Sequence, residues 1–304
     1  MLGHAGHQHH HTHGTYDRAF AIGVTLNLAF VVAEVAFGLF AHSLALLSDA
    51  GHNLGDVLGL LLAWGAGYLS RRQPTERHTY GLRRSSILAA LGNAILLLIA
   101  IGGIGWEGLR RLAHPRPVET ETVIWVAAVG ILVNSITAAL FVSGRHRDLN
   151  LRGAFLHMVA DAAVSAGVVV AGIVMLRTGW LWPDPVVSIL IALVIAWGTW
   201  GLFREALNLA MDAVPSGIDV AEVEGYLRGL PDVTDVHDLH VWGMSTTENA
   251  MTVHLVCPSN SICDRDLEAI AQELHQRFHI EHCTVQVERG DGAMPCKQSD
   301  AASV

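Results

Sequence analysis

The sequence predicts an all-α membrane bundle of six transmembrane helices followed by a small cytosolic α+β domain. Of its 304 residues, 51% are hydrophobic and 15% are charged, whereas about 25% are charged in typical globular proteins. Six apolar segments precede residue 206, and each has the roughly 20 residues needed to cross a hydrocarbon core of about 30 Å. We predict the six helices at 18–40, 46–69, 85–111, 121–143, 153–177 and 184–205.

A histidine-rich stretch precedes the first predicted helix. Six of the first thirteen residues are histidine, and few are apolar. We interpret residues 1–16 as a disordered, metal-collecting tail, which lacks the apolar segment of a signal peptide. A cloning tag is the alternative, but the interruptions between the histidines favour a native tail.

The distribution of arginine predicts the orientation in the membrane. An even number of helices places both termini on one side, and the positive-inside rule assigns the arginine-rich side to the cytoplasm. The arginines on the side of the termini are Arg18, Arg71, Arg72, Arg77, Arg83, Arg84, Arg145, Arg147 and Arg152. Those on the opposite side are fewer: Arg110, Arg111 and Arg116. We therefore expect a multi-pass protein of the cell's inner (plasma) membrane, surrounded by lipid, with cytoplasmic termini.

The composition changes after the last apolar segment. Residues 208–290 have an α-β-β-α-β pattern, with a helix capped by Asp219, strands at 233–244 and 250–256, a helix at 264–278 and a strand at 284–288. This order predicts one antiparallel sheet covered by helices. We divide the chain into a tail (1–16), a transmembrane domain (17–207), a cytosolic domain (208–290) and a flexible tail (291–304). The net charge of −9 argues against nucleic acid as a partner.

Two pairs of ionisable residues interrupt the apolar segments. His52 and Asp56 lie one helical turn apart on the second predicted helix, and His157 and Asp161 repeat that spacing on the fifth. Ionisable groups at membrane depth are costly and mark functional sites. Two imidazoles and two carboxylates form a tetrahedral ligand set for Zn²⁺ and balance its charge. The alternative, His–Asp hydrogen bonds that pin two helices, explains the repeated spacing less well.

The predicted ligand set favours transport over catalysis. Four protein ligands leave no open position for the water of a zinc hydrolase, and the chain has no nucleotide-binding fingerprint. We therefore predict that the protein is not an enzyme and that another gradient drives the ion. Metal ligands release protons when they bind, so we expect a divalent metal ion to exchange for protons.

Other polar residues of the predicted membrane helices receive weaker assignments. Asp49 precedes His52 by three residues and could line an access path for the metal or cap the helix. Glu34, Asn27 and Asn134 are predicted to form hydrogen bonds between helices.

Small residues recur along the second predicted helix. Gly51, Gly55 and Gly59 are four residues apart. Small residues at this spacing let helices approach closely in lipid. We predict that this stripe lets the fifth helix bring His157 and Asp161 alongside.

Four stretches carry a resemblance to a known family: SLALLSDAGHNLGD (43–56), YGLRR (80–84), GAFLHMVAD (153–161) and VHDLHVW (236–242). The chain resembles the cation diffusion facilitators, in particular the bacterial zinc/cobalt/cadmium-resistance exporters, and is similar to vertebrate vesicular zinc transporters. The resemblance implies a homodimer with a ferredoxin-like cytosolic domain. It also implies that His52, Asp56, His157 and Asp161 form the transport site of a zinc/proton antiporter.

A second metal site is predicted in the cytosolic domain. Side chains alternate between the two faces of a hairpin. Counted outwards from the predicted turn, His237 and His254 fall on the same face as near-diagonal neighbours. Glu288 stands where related zinc transporters place a carboxylate ligand. The N-terminal histidines or Cys296, of either subunit, could supply a fourth ligand. His240 falls on the opposite face of the hairpin. The alternative to a metal site is a half-exposed polar sheet face.

The loop after the second helix departs from the family pattern. Some members have histidine where this chain has Arg83, and many have glutamate where it has Ser86. These departures argue against a metal site in this loop without deciding it, and His78 is a weak candidate ligand.

The leading prediction is a Zn²⁺ exporter that works by alternating access as a metal/proton antiporter. One alternative is a membrane zinc sensor without transport, which would not need a buried site at membrane depth. Another is an exporter of Cd²⁺, Co²⁺ or Ni²⁺ with the same fold.

Overall fold

The computed structural model describes residues 13–70, 72–142, 149–259, 262–290 and 296. The predicted N-terminal tail as far as residue 12, and the predicted C-terminal tail apart from Cys296, lie outside the described residues. Six long helices appear within the described part of the chain, close to their predicted positions. They are α1 (His13–Phe40), α2 (Leu44–Ser70), α3 (Ser85–Ala113), α4 (Thr120–Phe141), α5 (Leu149–Thr178) and α6 (Pro183–Ala210).

Four of these helices meet the requirements of a membrane span. Within α3, α4, α5 and α6, the described residues form helices of 20 to 29 residues that are long and apolar enough to cross a membrane. Large apolar side chains on them are exposed, including Trp197, Trp125 and Ile99. Such a surface suits contact with lipid. That α1 and α2 also cross the membrane stays a prediction.

The chain divides into two compact units. The first comprises residues 1–58 and 96–199. In it α4 packs against both α1 and α5, and its buried core is formed by Ala41, Ala45, Leu46, Val123, Ala127, Val168 and Ile191. Small residues permit this packing, because a Cβ atom on Gly130 would lie 2.6 Å from the Phe30 ring and one on Gly172 would lie 2.6 Å from Ile124.

The glycines of α2 do not have the predicted role. A Cβ atom on Gly55 would lie 2.2 Å from Leu97 Cδ2, and one on Gly51 would lie 3.4 Å from Ile104 Cδ1. Both neighbours belong to α3, so these two glycines admit α3 rather than α5. The reason is geometric: each glycine precedes a proposed ligand by one residue, and one residue turns a helix by about 100°. The prediction for Gly51 and Gly55 was therefore wrong.

A buried carboxylate fixes the beginning of α2. Asp184, in the first turn of α6, is fully buried. It accepts hydrogen bonds from the Ser43 hydroxyl, from the Leu44 amide at 2.9 Å and from the Ala45 amide at 3.3 Å. These amides belong to the helix N-terminus, where a negative charge is stabilising. Asp184 therefore joins two helices of the first unit.

The second unit comprises residues 59–95 and 200–304. It contains α7 (Val220–Arg228), β1 (Asp235–Gly243), β2 (Asn249–Val256), α8 (Asp264–Phe278) and β3 (His282–Glu288), in the predicted order. Asp219 caps α7 by accepting a hydrogen bond from the Ala221 amide at 2.9 Å. One face of the sheet and the two helices enclose an apolar core that includes Leu227, Met251, Leu255 and Leu274.

The sheet differs from its predicted form in its third strand. Its order is β1-β2-β3, with β1 and β2 antiparallel but β2 and β3 parallel. The prediction of a wholly antiparallel sheet was therefore wrong. Because α8 connects β2 to β3, the chain can cross over the sheet and return in the same direction.

The loop between α2 and α3 packs against the hairpin turn of the second unit. Arg83 Nη1 lies 2.7 Å from Glu248 Oε1, and the Ser86 hydroxyl accepts a hydrogen bond from the Thr246 amide at 3.1 Å. Arg84 forms an ion pair with Asp212. The two positions that depart from the family pattern thus contact the β1–β2 turn.

Candidate metal sites

Three of the four predicted membrane ligands converge in the first unit. His52 of α2 lies with its Nε2 atom 3.4 Å from Asp161 Oδ1, and His157 Nε2 lies 3.6 Å from Asp161 Oδ2. The two imidazole rings meet edge to face with centroids 5.7 Å apart. One ligand atom from each residue lies within 4.8 Å of the other two. Two helices that are about a hundred residues apart in the sequence therefore bring three potential metal ligands together.

The remaining membrane predictions have mixed outcomes. Asp56 lies in α2 one turn after His52, but its side chain is outside the described part of the structure. Asn27 donates to Met158 Sδ at 3.5 Å, so it links α1 to α5 as predicted. Neither amide atom of Asn134 has a hydrogen-bond partner among the described residues, although both are buried.

Asp49 and Glu34 lie together beside this cluster. Asp49 is fully buried in the second turn of α2, and its Oδ2 atom accepts a hydrogen bond from the Ser165 hydroxyl at 3.1 Å. The alternative that Asp49 caps α2 was therefore wrong, because the residue lies beyond the first turn. Glu34 of α1 accepts a hydrogen bond from Asn53 at 3.2 Å, which links α1 to α2 as predicted.

The charge of Asp161 is sheltered within the protein. Its side chain is 2% exposed, and its Oδ2 atom has no hydrogen-bond donor among the described residues. His157 Nε2 lies 3.6 Å from this oxygen, beyond hydrogen-bonding distance, so the desolvation penalty of the carboxylate is incompletely compensated. A divalent cation between the three side chains would remove this penalty, so the residues fit a metal ion.

A second cluster lies on the sheet of the second unit. His254 Nδ1 lies 3.0 Å from Glu288 Oε1 and 3.5 Å from Cys296 Sγ. His237 Nε2 lies 3.6 Å from Glu288 Oε2. One ligand atom from each of the four residues lies within 4.8 Å of the others. Nitrogen, oxygen and sulfur in this number suit a tetrahedral zinc site.

The strand register produces this second cluster. His237 pairs directly with His254 across β1 and β2, and their rings are 5.2 Å apart. His254 pairs with Gln286 across β2 and β3, and Glu288 lies two residues further on the same face. The predicted diagonal relation of the two histidines differs from the observed direct pairing, because a β-bulge between His237 and His240 shifts the register.

The bulge introduces a residue that sequence reasoning missed. Asp238 has a φ of 51°, in the left-handed region that aspartate tolerates better than most residues. Its carboxylate lies 3.5 Å from His254 Nε2 and 2.9 Å from His240 Nε2. A carboxylate on the second ring nitrogen orients a metal-binding histidine. The sequence did contain a signal for this residue, because aspartate is uncommon in strands and this one lies next to His237.

The nitrogens of His237 support a ligand role. Both are buried, and neither has a hydrogen-bond partner within the described residues. Carboxylate oxygens face both nitrogens just beyond hydrogen-bonding distance, Glu288 Oε2 at 3.6 Å from Nε2 and Asp235 Oδ2 at 3.9 Å from Nδ1, so the ring has room for a cation beside it. That the ring binds a metal ion stays a prediction.

Two of the other three cysteines, Cys257 and Cys283, are at least partly buried. Burial raises the pKa of the Cys257 thiol and that of the Cys283 thiol. The thiolate is the metal-binding form, and neither residue belongs to a group of potential metal ligands among the described residues. Among the described residues, the two groups of potential metal ligands do not include His78.

Both parts of the chain are similar to known proteins. Residues 20–209 match the cation efflux transmembrane domain, and residues 215–290 match the cytoplasmic domain of cation efflux proteins. The chain belongs to the cation diffusion facilitator (cation efflux) family. The resemblance seen in the sequence is confirmed. The protein is accordingly a membrane-spanning metal cation efflux protein with a helical membrane domain and a cytoplasmic domain that contains a small sheet.

Several relatives of this family are similar over nearly their whole length. The cation efflux system protein CzcD of Alcaligenes sp. (strain CT14) is 36% identical over 301 residues, which cover 98% of this chain and 93% of that protein. The zinc transporter ZitB of Escherichia coli (strain K12) is 38% identical over 283 residues, 92% and 88% of the two chains. The cadmium, cobalt and zinc/H(+)-K(+) antiporter of Bacillus subtilis (strain 168) is 30% identical over 297 residues, 95% and 96%.

Proposed function

We propose that this family member exports a divalent metal ion, Zn²⁺ above all, by alternating access through a four-ligand site. The ligands are His52 and Asp56 of α2 with His157 and Asp161 of α5. The observation that carries the proposal is the convergence of His52, His157 and Asp161. Asp56 completes the set because it follows His52 by one helical turn.

The chemistry of the four ligands favours zinc. Imidazole nitrogen selects borderline metals over Mg²⁺ and Ca²⁺, which prefer all-oxygen sites. Two carboxylates neutralise the two charges of the ion, which lowers the cost of holding it in a low dielectric. The name of the Escherichia coli relative, a zinc transporter, supports the same choice.

Protons are the proposed counter-ions. Metal ions bind to neutral imidazole and ionised carboxylate, so binding displaces protons from these groups. Histidine titrates near neutral pH, which lets a modest gradient reload the site with protons. The Bacillus subtilis relative is named as an antiporter that uses protons and potassium. Zinc uptake that did not respond to an imposed pH gradient would contradict this part of the proposal.

The architecture proposed for this activity has six membrane spans, including α1 and α2. The transmembrane domain comprises residues 17–207, the cytosolic domain residues 208–290, and both termini lie in the cytoplasm. The α-β-β-α-β order and the mixed sheet support a ferredoxin-like cytosolic domain. The family supports a homodimer in the inner membrane.

The cytosolic domain is proposed to hold a zinc ion of its own. His237, His254 and Glu288 are the ligands, and Cys296 supplies the fourth because its sulfur lies next to His254. The sheet holds the first three, whereas Cys296 lies eight residues after the end of β3. Loss of zinc would therefore release Cys296 from the sheet.

Transport into inverted vesicles tests the membrane site. Wild type is expected to accumulate Zn²⁺, and Asp161→Ala and Asp161→Asn are expected to lose uptake because the carboxylate that contacts both histidines is gone. His114→Ala, an exposed histidine just after α3, is the matched control and should transport like wild type. Wild-type uptake by Asp161→Ala would refute the four-ligand site.

A second candidate is export of Cd²⁺ or Co²⁺ through the same site. The name of the Bacillus subtilis relative includes cadmium and cobalt as well as zinc. Competition separates the candidates: a zinc exporter should lose zinc uptake only at an excess of Cd²⁺, Co²⁺ or Ni²⁺. Inhibition by an equal concentration of Co²⁺ would favour the broader specificity.

A further inference from the structure

A pair of buried carboxyl groups lies beside the membrane site without a metal-binding role. Glu34 of α1 and Asp49 of α2 are both fully buried, and Glu34 contacts Asn53, which follows Asp49 by one turn of α2, so the two carboxyl groups face the same region. Each has one oxygen with a protein donor: Asn53 donates to Glu34 Oε2 at 3.2 Å, and Ser165 donates to Asp49 Oδ2 at 3.1 Å.

The remaining oxygens of the pair indicate a shared proton. Glu34 Oε1 and Asp49 Oδ1 are buried and have no donor among the described residues. Ionised carboxylates only accept hydrogen bonds, so a hydrogen bond between the two groups requires a proton. Two adjacent negative charges in a low dielectric are also strongly unfavourable. These features favour one shared proton on the pair over two adjacent negative charges.

The surroundings of the pair connect it to the metal site. The titratable groups described around it are His52, from α2, and Asp161, from α5, and both interact with it electrostatically. Ser165 contributes a hydroxyl from α5, one turn after Asp161. A charge placed between His52 and Asp161 would therefore act on the shared proton through a poorly screened medium.

We propose that the Glu34–Asp49 pair is a proton-binding site that releases one of the protons exchanged for the metal ion. The inference rests on the proposed function of His52 and Asp161 as ligands. When a doubly charged cation arrives, the O–H bond of the protonated carboxyl breaks and the proton passes to water. Both carboxylates remain, so the local charge rises by one unit rather than two. Rebinding of a proton to the pair favours departure of the metal.

Proton release can be counted by calorimetry. Zinc is titrated into the full-length, detergent-solubilised protein in two buffers of different ionisation enthalpy. Compared with wild type, Glu34→Gln should release one fewer proton per protein at unchanged zinc stoichiometry, because the amide replaces the protonated carboxyl. Glu107→Gln removes a carboxyl that pairs with Arg111 in α3 and should match wild type. Protons released at other zinc sites cancel in these comparisons.

The outcomes separate this proposal from that of the metal site. An unchanged proton count in Glu34→Gln overturns the proton-binding pair and leaves the ligands untouched. Unchanged zinc stoichiometry and transport in Asp161→Ala overturns the ligands instead.

If Glu34→Gln does not fold, a measurement on the wild-type protein tests the proton-binding pair instead. Difference infrared spectroscopy should show that zinc removes the C=O band of a protonated carboxyl. A spectrum without that loss overturns the proposal.

Discussion

The two clusters of potential metal ligands differ in how the chain assembles them. The membrane cluster takes its described members from two helices: α5 contributes His157 and Asp161, which are four residues apart, and α2 contributes His52. The cytosolic cluster takes one ligand from each of three strands and one from the segment that follows β3. A helix places residues four apart on one face by its own geometry, whereas a sheet aligns ligands only through its register.

This difference has a consequence for function. Ligands on two helices can separate as rigid groups when the helices move, which alternating access requires. Ligands that are joined by strand hydrogen bonds stay together. We therefore expect the membrane site to load and release its ion, and the cytosolic site to retain one.

Histidine substitutions in the two clusters are expected to give the largest difference in zinc transport. His157→Ala should reduce zinc transport by more than the roughly 10–100-fold that loss of an orienting partner costs, because it removes a ligand. His254→Ala should keep transport within a few-fold of wild type and lose one bound zinc ion per chain. Vesicle uptake and equilibrium dialysis measure both. His275→Ala, on α8 outside either cluster, is the control; equal loss of transport in His157→Ala and His254→Ala would contradict the division.

The next effect tests the packing of α2. Gly55→Leu should lower transport about tenfold, since overpacking that costs 1–3 kcal/mol must displace Leu97 and shift α2 from α3. Gly65→Leu lies on the same helix where a Cβ atom meets nothing within 4 Å, and it should be tolerated. Vesicle uptake normalised to protein content compares them. Transport by Gly55→Leu at the wild-type rate would show that this contact with α3 is dispensable.

Prediction from sequence succeeded where local geometry decides the outcome. The positions of the helices follow from apolar length, and the convergence of His52 with Asp161 follows from a repeated spacing that requires two helices to meet. The glycines of α2 were assigned to the wrong neighbour because periodicity shows which residues share a face but not what that face contacts. The direction of β3 depends on a crossover connection, and the position of Asp238 depends on a bulge. The alternation of side chains along a strand predicts neither.

Asp238 offers a smaller and more selective test of the cytosolic cluster. Asp238→Asn keeps a residue that tolerates the positive φ but removes the charge facing His254. Zinc affinity of the cytosolic site should fall roughly 10-fold, as for other orienting carboxylates, while transport is unchanged. Competition with a zinc-binding dye measures the affinity. Asp264→Ala, an exposed acidic residue of α8, is the control, and an unaltered affinity in Asp238→Asn would leave the carboxylate without a role.

The smallest effect concerns the beginning of α8. Asp266 accepts a hydrogen bond from the Cys263 amide at 2.9 Å, and this bond, followed by that from the Cys263 side chain, lowers the pKa of its carboxyl. A lowered folded-state pKa stabilises the helix above the unfolded value of about 3.9, and the benefit disappears as pH falls through the folded value. Hydrogen exchange of residues 264–268 should be faster in Asp266→Ala than in wild type at pH 7.

The comparison at low pH completes that test. The difference between Asp266→Ala and wild type should vanish once the carboxyl is protonated. Asp264→Ala changes the same charge in the same turn and serves as the control. A difference that persisted unchanged in acid would mean that the carboxylate does not act as a cap.

The most direct test is zinc X-ray absorption spectroscopy on the membrane site alone. The His237→Ala/His254→Ala double variant removes the cytosolic site, and the same variant with Asp161→Ala corrects for zinc held elsewhere. We predict four nitrogen and oxygen neighbours at roughly 2.0–2.2 Å, two of them imidazole, and no sulfur at about 2.3 Å. A sulfur neighbour, or a spectrum unchanged by Asp161→Ala, would contradict the proposal that His52, Asp56, His157 and Asp161 bind the transported ion.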